Sequence, residues 1–197
     1  VTDRDIKALY DLKAAALARH PDLGPAAGAA LAVVGDRPLS CRVQLDGQLL
    51  EVDLPPEDGG SGATPHPAQL MRAAVGAGLA FGYRIWAARL GVSLGRIEVG
   101  IQCDFDVRGQ LGVGPPIAPR WQRMTVDVLV FGAASEVEVR RVVAVANQHS
   151  LVLANLSPDI AQVHRLTVTT ERPVPPDVTP EDRERNPNRK PKERKQP

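Results

Sequence analysis

Reactive sulfur in this 197-residue chain is confined to two residues, Cys41 and Cys103. A thiolate can attack a peroxide oxygen and carry the resulting sulfenic acid, so each is a candidate nucleophile. They lie far apart, in no CxxC pair and near no histidine, which argues against a disulfide framework and a structural zinc site. His20, His66, His149 and His164 show neither HxxxH nor HExxH spacing, so no metal site is expected. His149 stands beside Ser150, as a base stands beside a nucleophile, but adjacent side chains on a helix do not face each other. His149 reads instead as a partner for a helix C-terminus. The Gly59-Gly60-Ser61-Gly62 loop lacks a following Lys-Ser/Thr and reads as a connection, not a phosphate cradle. Glu98, Asp104 and Asp106 read as a solvated strand face. Arg84 and Arg89 read as surface or interface charges, with an anionic ligand as the alternative.

The elements that must hold these residues follow from periodicity. Ile6, Leu9, Tyr10 and Leu17 give a surface helix over residues 3–19, started by Thr2 or Asp3 and stopped at His20-Pro21. An apolar run over residues 29–34 reads as a first strand. Leu39, Cys41, Val43 and Leu45 alternate with polar neighbours, Asp46-Gly47 supplies a tight turn, and residues 49–54 run back. After a Pro/Gly/Ser-rich loop comes a long apolar helix, about residues 68–90, ended by Gly91. Ala74, Gly78 and Gly82 share one of its faces. Glycine costs a helix interior about 1 kcal/mol relative to alanine, so something is expected to pack closely there.

Ile97, Val99, Ile101, Cys103, Phe105 and Val107 share one face of a strand over residues 97–107. Met124, Val126, Val128 and Val130 give its partner. Ser135 with Glu138 forms a capping box for a helix to about residue 149, with Val139, Val142, Val143 and Ala146 inward. Residues 162–170 read as a last strand. Both cysteines fall on the apolar phase of their strands and read as core residues; a relocated catalytic thiol is the alternative. Strands in hairpins rather than in βαβ units define an α+β class. The domain expectation is an N-terminal helix over 1–23, a folded body over 24–171 and a disordered tail rich in proline and charge over 172–197.

The stretch from Val52-Asp53-Leu54-Pro55-Pro56-Glu57-Asp58-Gly59-Gly60 through Pro67-Ala68-Gln69-Leu70 to Ala73-Ala74-Val75-Gly76-Ala77-Gly78-Leu79 resembles the OsmC/Ohr family. Ala87-Ala88-Arg89-Leu90-Gly91-Val92, Ile97-Glu98-Val99, Gly109-Gln110-Leu111-Gly112 and Ala146-Asn147-Gln148-His149-Ser150 extend the resemblance in the same order, over roughly residues 38–170. It implies an OsmC-like fold with antiparallel sheets, a long central apolar helix and a second helix, assembled as an intertwined homodimer with active sites at the subunit interface. It also implies reduction of organic hydroperoxides by one cysteine on the long helix and a second, resolving cysteine. Those two positions correspond to Gly78 and Ser150. The family's glutamate corresponds to Ala68 while Gln69 keeps its place, and its activating arginine corresponds to Arg37 or Arg42.

Glycine and serine cannot replace a thiolate, so the expectation is a homodimer without thiol peroxidase activity that binds a small molecule or a partner. Its candidate pocket comprises Arg42, Gln69, Val75, Gly78, Leu79, Phe81, Gly82, His149 and Ser150, apolar enough for a lipid-like or aromatic molecule. The alternatives are a hydroperoxide reductase in oxidative stress defence using Cys41 or Cys103, and an interaction protein working through its basic C-terminal residues. With an apolar fraction of 43% and a net charge of +1, the body is no polycation for nucleic acid or membrane. The longest apolar run, residues 73–83, is about half the ~20 residues that cross a bilayer. No leader-like start is evident, so a cytoplasmic protein without cofactors is expected.

Overall fold

The computed structural model describes residues 1–35 and 39–170. Arg37 and the expected tail lie outside them. Helix α1 (Asp3–Arg19) opens on a capping box in which the Thr2 side chain accepts from the Asp5 amide while the Asp5 carboxylate receives the Thr2 amide. Strands β1 (Ala30–Val34), β2 (Ser40–Leu45) and β3 (Gln48–Asp53) form one antiparallel sheet in that order. The β2–β3 turn needs two positive φ angles, supplied by Asp46 (40°) and Gly47 (85°), as the twist of a two-residue hairpin demands.

Helix α2 (Pro67–Leu90) ends at Gly91 in the left-handed region. Strand β4 (Ile97–Phe105) then pairs antiparallel with β5 (Trp121–Phe131). The expected continuation of β4 to Val107 does not form. Asp106 instead accepts from the Arg108 amide at 2.9 Å and caps a short helix α3 (Val107–Leu111), the role for which aspartate is suited. Ser135 caps α4 (Glu136–Gln148) through the expected box with Glu138. Ser150 caps a further short helix, α5 (Leu151–Ala154). Strand β6 (Ala161–Thr169) lies parallel to β5, so the second sheet, β4-β5-β6, is mixed.

The core sits between this second sheet and the helices. Leu79, Tyr83 and Ala87 of α2 meet Val139, Val142 and Ala146 of α4 over Met124, Val126, Val128 and Val130 of β5. Central β5 is paired on both edges and turns Met124, Val126, Val128 and Val130 to the helices, while Arg123 and Asp127 stay exposed on its other face, the alternation of a sheet with one covered face. Gly76 lets α2 lie close on β4: a Cβ there would be 3.3 Å from Ile101 Cγ1 and 3.5 Å from the Val99 oxygen. The first sheet differs, with β1 exposed throughout and β2 largely so. Among the described residues, no helix is long and apolar enough to cross a membrane.

Candidate functional site

The start of α2 is fixed by an unusual capping box. His66 Nδ1 accepts from the Ala68 amide at 3.0 Å and Gln69 Oε1 accepts from the His66 amide at 2.8 Å. Gln69 therefore serves the helix start. Three turns on, Gly78 faces α5. A Cβ at Gly78 would lie 3.0 and 3.1 Å from the two Val152 methyls, so the volume a side chain would take is already filled. At Gly78 the close neighbour expected on this helix face is Val152. Gly82, one turn later, would bring a Cβ only to 4.0 Å from that of Ala146.

Beside these glycines lies a cleft of about 300 Å³ lined by Gly78, Leu79, Phe81, Gly82, Ile85, Trp86, Ala146, His149, Ser150, Leu151 and Val152. Its character is apolar and aromatic. The His149 and Trp86 rings stack with centroids 4.7 Å apart, and the Arg89 guanidinium lies 4.3 Å over Trp86. Arg89 is in turn 3.5 Å from Asp11, tying α1 to the stack. Phe81 remains 69% exposed at the cleft edge. The Ser150 hydroxyl accepts from the Leu153 amide at 3.3 Å and so acts as a cap, while His149 ends α4.

Six of the nine pocket candidates therefore meet: Gly78, Leu79, Phe81, Gly82, His149 and Ser150. Three do not. Val75 is buried in the core, Gln69 caps α2, and Arg42 lies exposed on the first sheet, 3.7 Å from Glu51. Ile85 and Trp86 were missing from the expected lining, although 78, 82, 85 and 86 share a helical face and that spacing points to them. Val152 left no comparable signal, because a four-residue helix shows no periodicity.

Neither thiol faces this cleft. Cys103 is partly buried on β4, and burial pushes its thiol up; the Arg72 charge opposes that rise and Asp104 adds to it. Cys41 is also partly buried, with its sulfur 3.7 Å from the Arg42 oxygen. No cluster of three or more His, Cys, Asp or Glu suited to a metal occurs among the described residues. A fixed carboxylate does occur at the end of β3. Asp53, 4% exposed, accepts from the amides of Leu54, Ser61 and Ala63 and from the Ser61 hydroxyl. Chiefly through that hydroxyl, its carboxyl is held below the usual range. It pins the glycine-rich loop and does no evident chemistry.

Two three-stranded sheets, a long glycine-bearing helix and a second helix closing over it define an OsmC-type α+β fold. The OsmC-like protein family model matches residues 59–163, and the chain belongs to that family. Solved structures agree in fold. An OsmC-like protein from Mycoplasma pneumoniae superposes with a TM-score of 0.63 at 10% identity, over 73% of this chain and 98% of that one. An organic hydroperoxide resistance protein from Legionella pneumophila gives 0.55 at 19% identity, over 73% and 98%. One described as a putative organic hydroperoxide resistance protein from Vibrio cholerae, with captopril bound in one of its active sites, gives 0.52 at 23%, over 73% and 91%. Comparison with curated proteins by sequence finds no match. Helix α1 lies outside the family match.

Proposed function

We propose that this chain is an OsmC-type homodimer that does not reduce hydroperoxides by thiol chemistry, and that the cleft beside Gly78 holds a small apolar or aromatic molecule. The observation that carries this reading is the cleft's composition: glycine packed against Val152 at one family cysteine position, and a serine engaged as a helix cap at the other. Neighbours described as organic hydroperoxide resistance proteins support a setting of oxidative stress for the fold. Without sulfur at either position, a wall of Leu79, Phe81, Ile85, Trp86 and Leu151 supports binding over turnover.

The dimer is supported by the first sheet. Directly paired residues point to the same side, so Ala30, Ala32, Val34, Cys41, Val43, Leu45, Gln48, Leu50 and Val52 form one face. All of these but Gln48, beside the hairpin turn, are apolar. The opposite face is mixed, with Arg42, Gln44 and Glu51 beside exposed Leu31, Val33 and Leu49. Ala30, Ala32, Val34 and Leu45 stay exposed on the first face while Cys41, Val43 and Leu50 are half-buried and Val52 is buried, and a second copy is the occupant that fits the exposed apolar part.

A second reading, peroxide reduction at Cys103, is favoured by one observation, the Arg72 charge acting on that thiol. Burial outweighs it, leaving little thiolate at neutral pH. Native mass spectrometry tests the leading reading. The expected result is a mass of two chains plus a retained small molecule, with the latter lost in Gly82→Leu, which fills the cleft. A ligand-free dimer, or a ligand equally retained by Gly82→Leu, contradicts the assignment of the cleft.

A further inference from the structure

Three arginines project from α2, and two have partners. Arg84 donates to the carbonyls of Leu94 and Gly95 and lies 3.6 Å from Asp3. Arg89 is held between Asp11 and Trp86. Arg72 is partly buried, yet among the described residues no ion pair or hydrogen bond engages it. A half-buried guanidinium without a carboxylate or carbonyl partner keeps its donors free for a ligand, and its planar fork suits two-point binding of a carboxylate.

Arg72 opens onto a cavity of about 310 Å³, shared with Pro55, Thr64, His66, Gln69 and Phe105. The carboxylate of Asp53 also borders it, but its oxygens are already held by Ser61, Leu54 and Ala63. His66 contributes a donor. Its Nδ1 accepts from the Ala68 amide, so the neutral ring carries its hydrogen on Nε2. His66, Ala68 and Phe105 also line a second cavity of about 350 Å³, whose other walls include Met71, Pro119, Trp121, Leu156 and Ile160. The second cavity also has Asp106 and Arg120 on its lining, each already in an ion pair, with Arg108 and Asp159 respectively. The two cavities share His66, Ala68 and Phe105, and read as one trough they give an unpaired cation at one end and a largely apolar body. Neither includes Gly78, Gly82 or Ser150, so the trough is separate from the cleft described above.

We propose that this trough binds an amphipathic organic carboxylate, its head on the Arg72 guanidinium and its apolar body along Phe105, Met71, Trp121 and Ile160. Charge complementarity selects the head group and the aromatic and aliphatic walls select the body. A neutral ligand leaves Arg72 unpartnered, and a cationic one finds the Asp53 and Asp106 carboxylates already engaged.

Isothermal titration calorimetry of the full chain with decanoate and decanol tests the proposal. Decanoate is expected to bind once per chain, and decanol at least tenfold more weakly. Arg72→Gln lowers decanoate affinity at least tenfold and leaves decanol affinity unmoved, whereas Arg72→Lys keeps part of the decanoate affinity. Affinity rises with chain length, by up to about fourfold per added methylene. Circular dichroism melts matching the wild type establish that the Arg72 variants fold. Equal binding of decanoate and decanol, no decanoate binding, or wild-type decanoate affinity in Arg72→Gln overturns the assignment.

Discussion

At Gly78 the nearest side-chain atoms to an added Cβ would be the two methyls of Val152, at 3.0 and 3.1 Å. A cysteine side chain there overfills a packed contact, which costs about 1–3 kcal/mol. Gly78→Cys should lower stability by that amount in urea unfolding, and Gly78→Cys with Val152→Ala should recover most of it. If the single variant unfolds like the wild type, α5 is not seated as described. Tyr83 offers a second test. Its hydroxyl donates to Asn147 Oδ1 at 3.1 Å, and burial pushes its phenol from 10.0 up to about 12. Folding thus favours the protonated form, and between those two values the folded chain holds more protons than the unfolded one. The Tyr83 contribution is complete below pH 10 and is lost as pH rises toward 12. Tyr83→Phe should cost about 1 kcal/mol near neutrality by removing Asn147's donor, and should abolish this part of the alkaline decline.

Among the elements, caps and turns carry much of what the residues alone disclose. Ser135→Ala removes the acceptor for the Glu138 amide and should destabilise the protein by about 1 kcal/mol, read from chemical denaturation. Thr2, Asp46-Gly47, Gly91 and Ser135 punctuate the chain by local chemistry, so α1, the β2–β3 hairpin, α2 and α4 were legible in advance. Helices α3 and α5 were not. They have five and four residues, too few for a hydrophobic period, and only Asp106 and Ser150 mark their starts. The parallel seat of β6 was hidden for a different reason, since alternation shows which face of a strand is buried but not which way its neighbour runs. The candidate site divides similarly. Gly78, Gly82 and Ser150 were legible through a family resemblance and a helical face. Val152 and the unpartnered Arg72 required tertiary structure, because nothing in a lone arginine's sequence context says whether a carboxylate will stand opposite it.

For the whole molecule, a largely apolar sheet face only partly covered by its own chain predicts association. Val43→Asp places a charge at its centre and should convert the dimer expected in analytical ultracentrifugation to monomer; an unchanged dimer would put the interface elsewhere. The central claim concerns sulfur: an OsmC-type fold whose cleft offers glycine and serine has no thiolate with which to meet an oxidant. Stopped-flow measurement of cumene hydroperoxide consumption, with the wild type beside a Cys41→Ser/Cys103→Ser variant, tests it most directly. The predicted result is no saturable consumption by either protein. Rapid, saturable consumption by the wild type that disappears in the variant would contradict it.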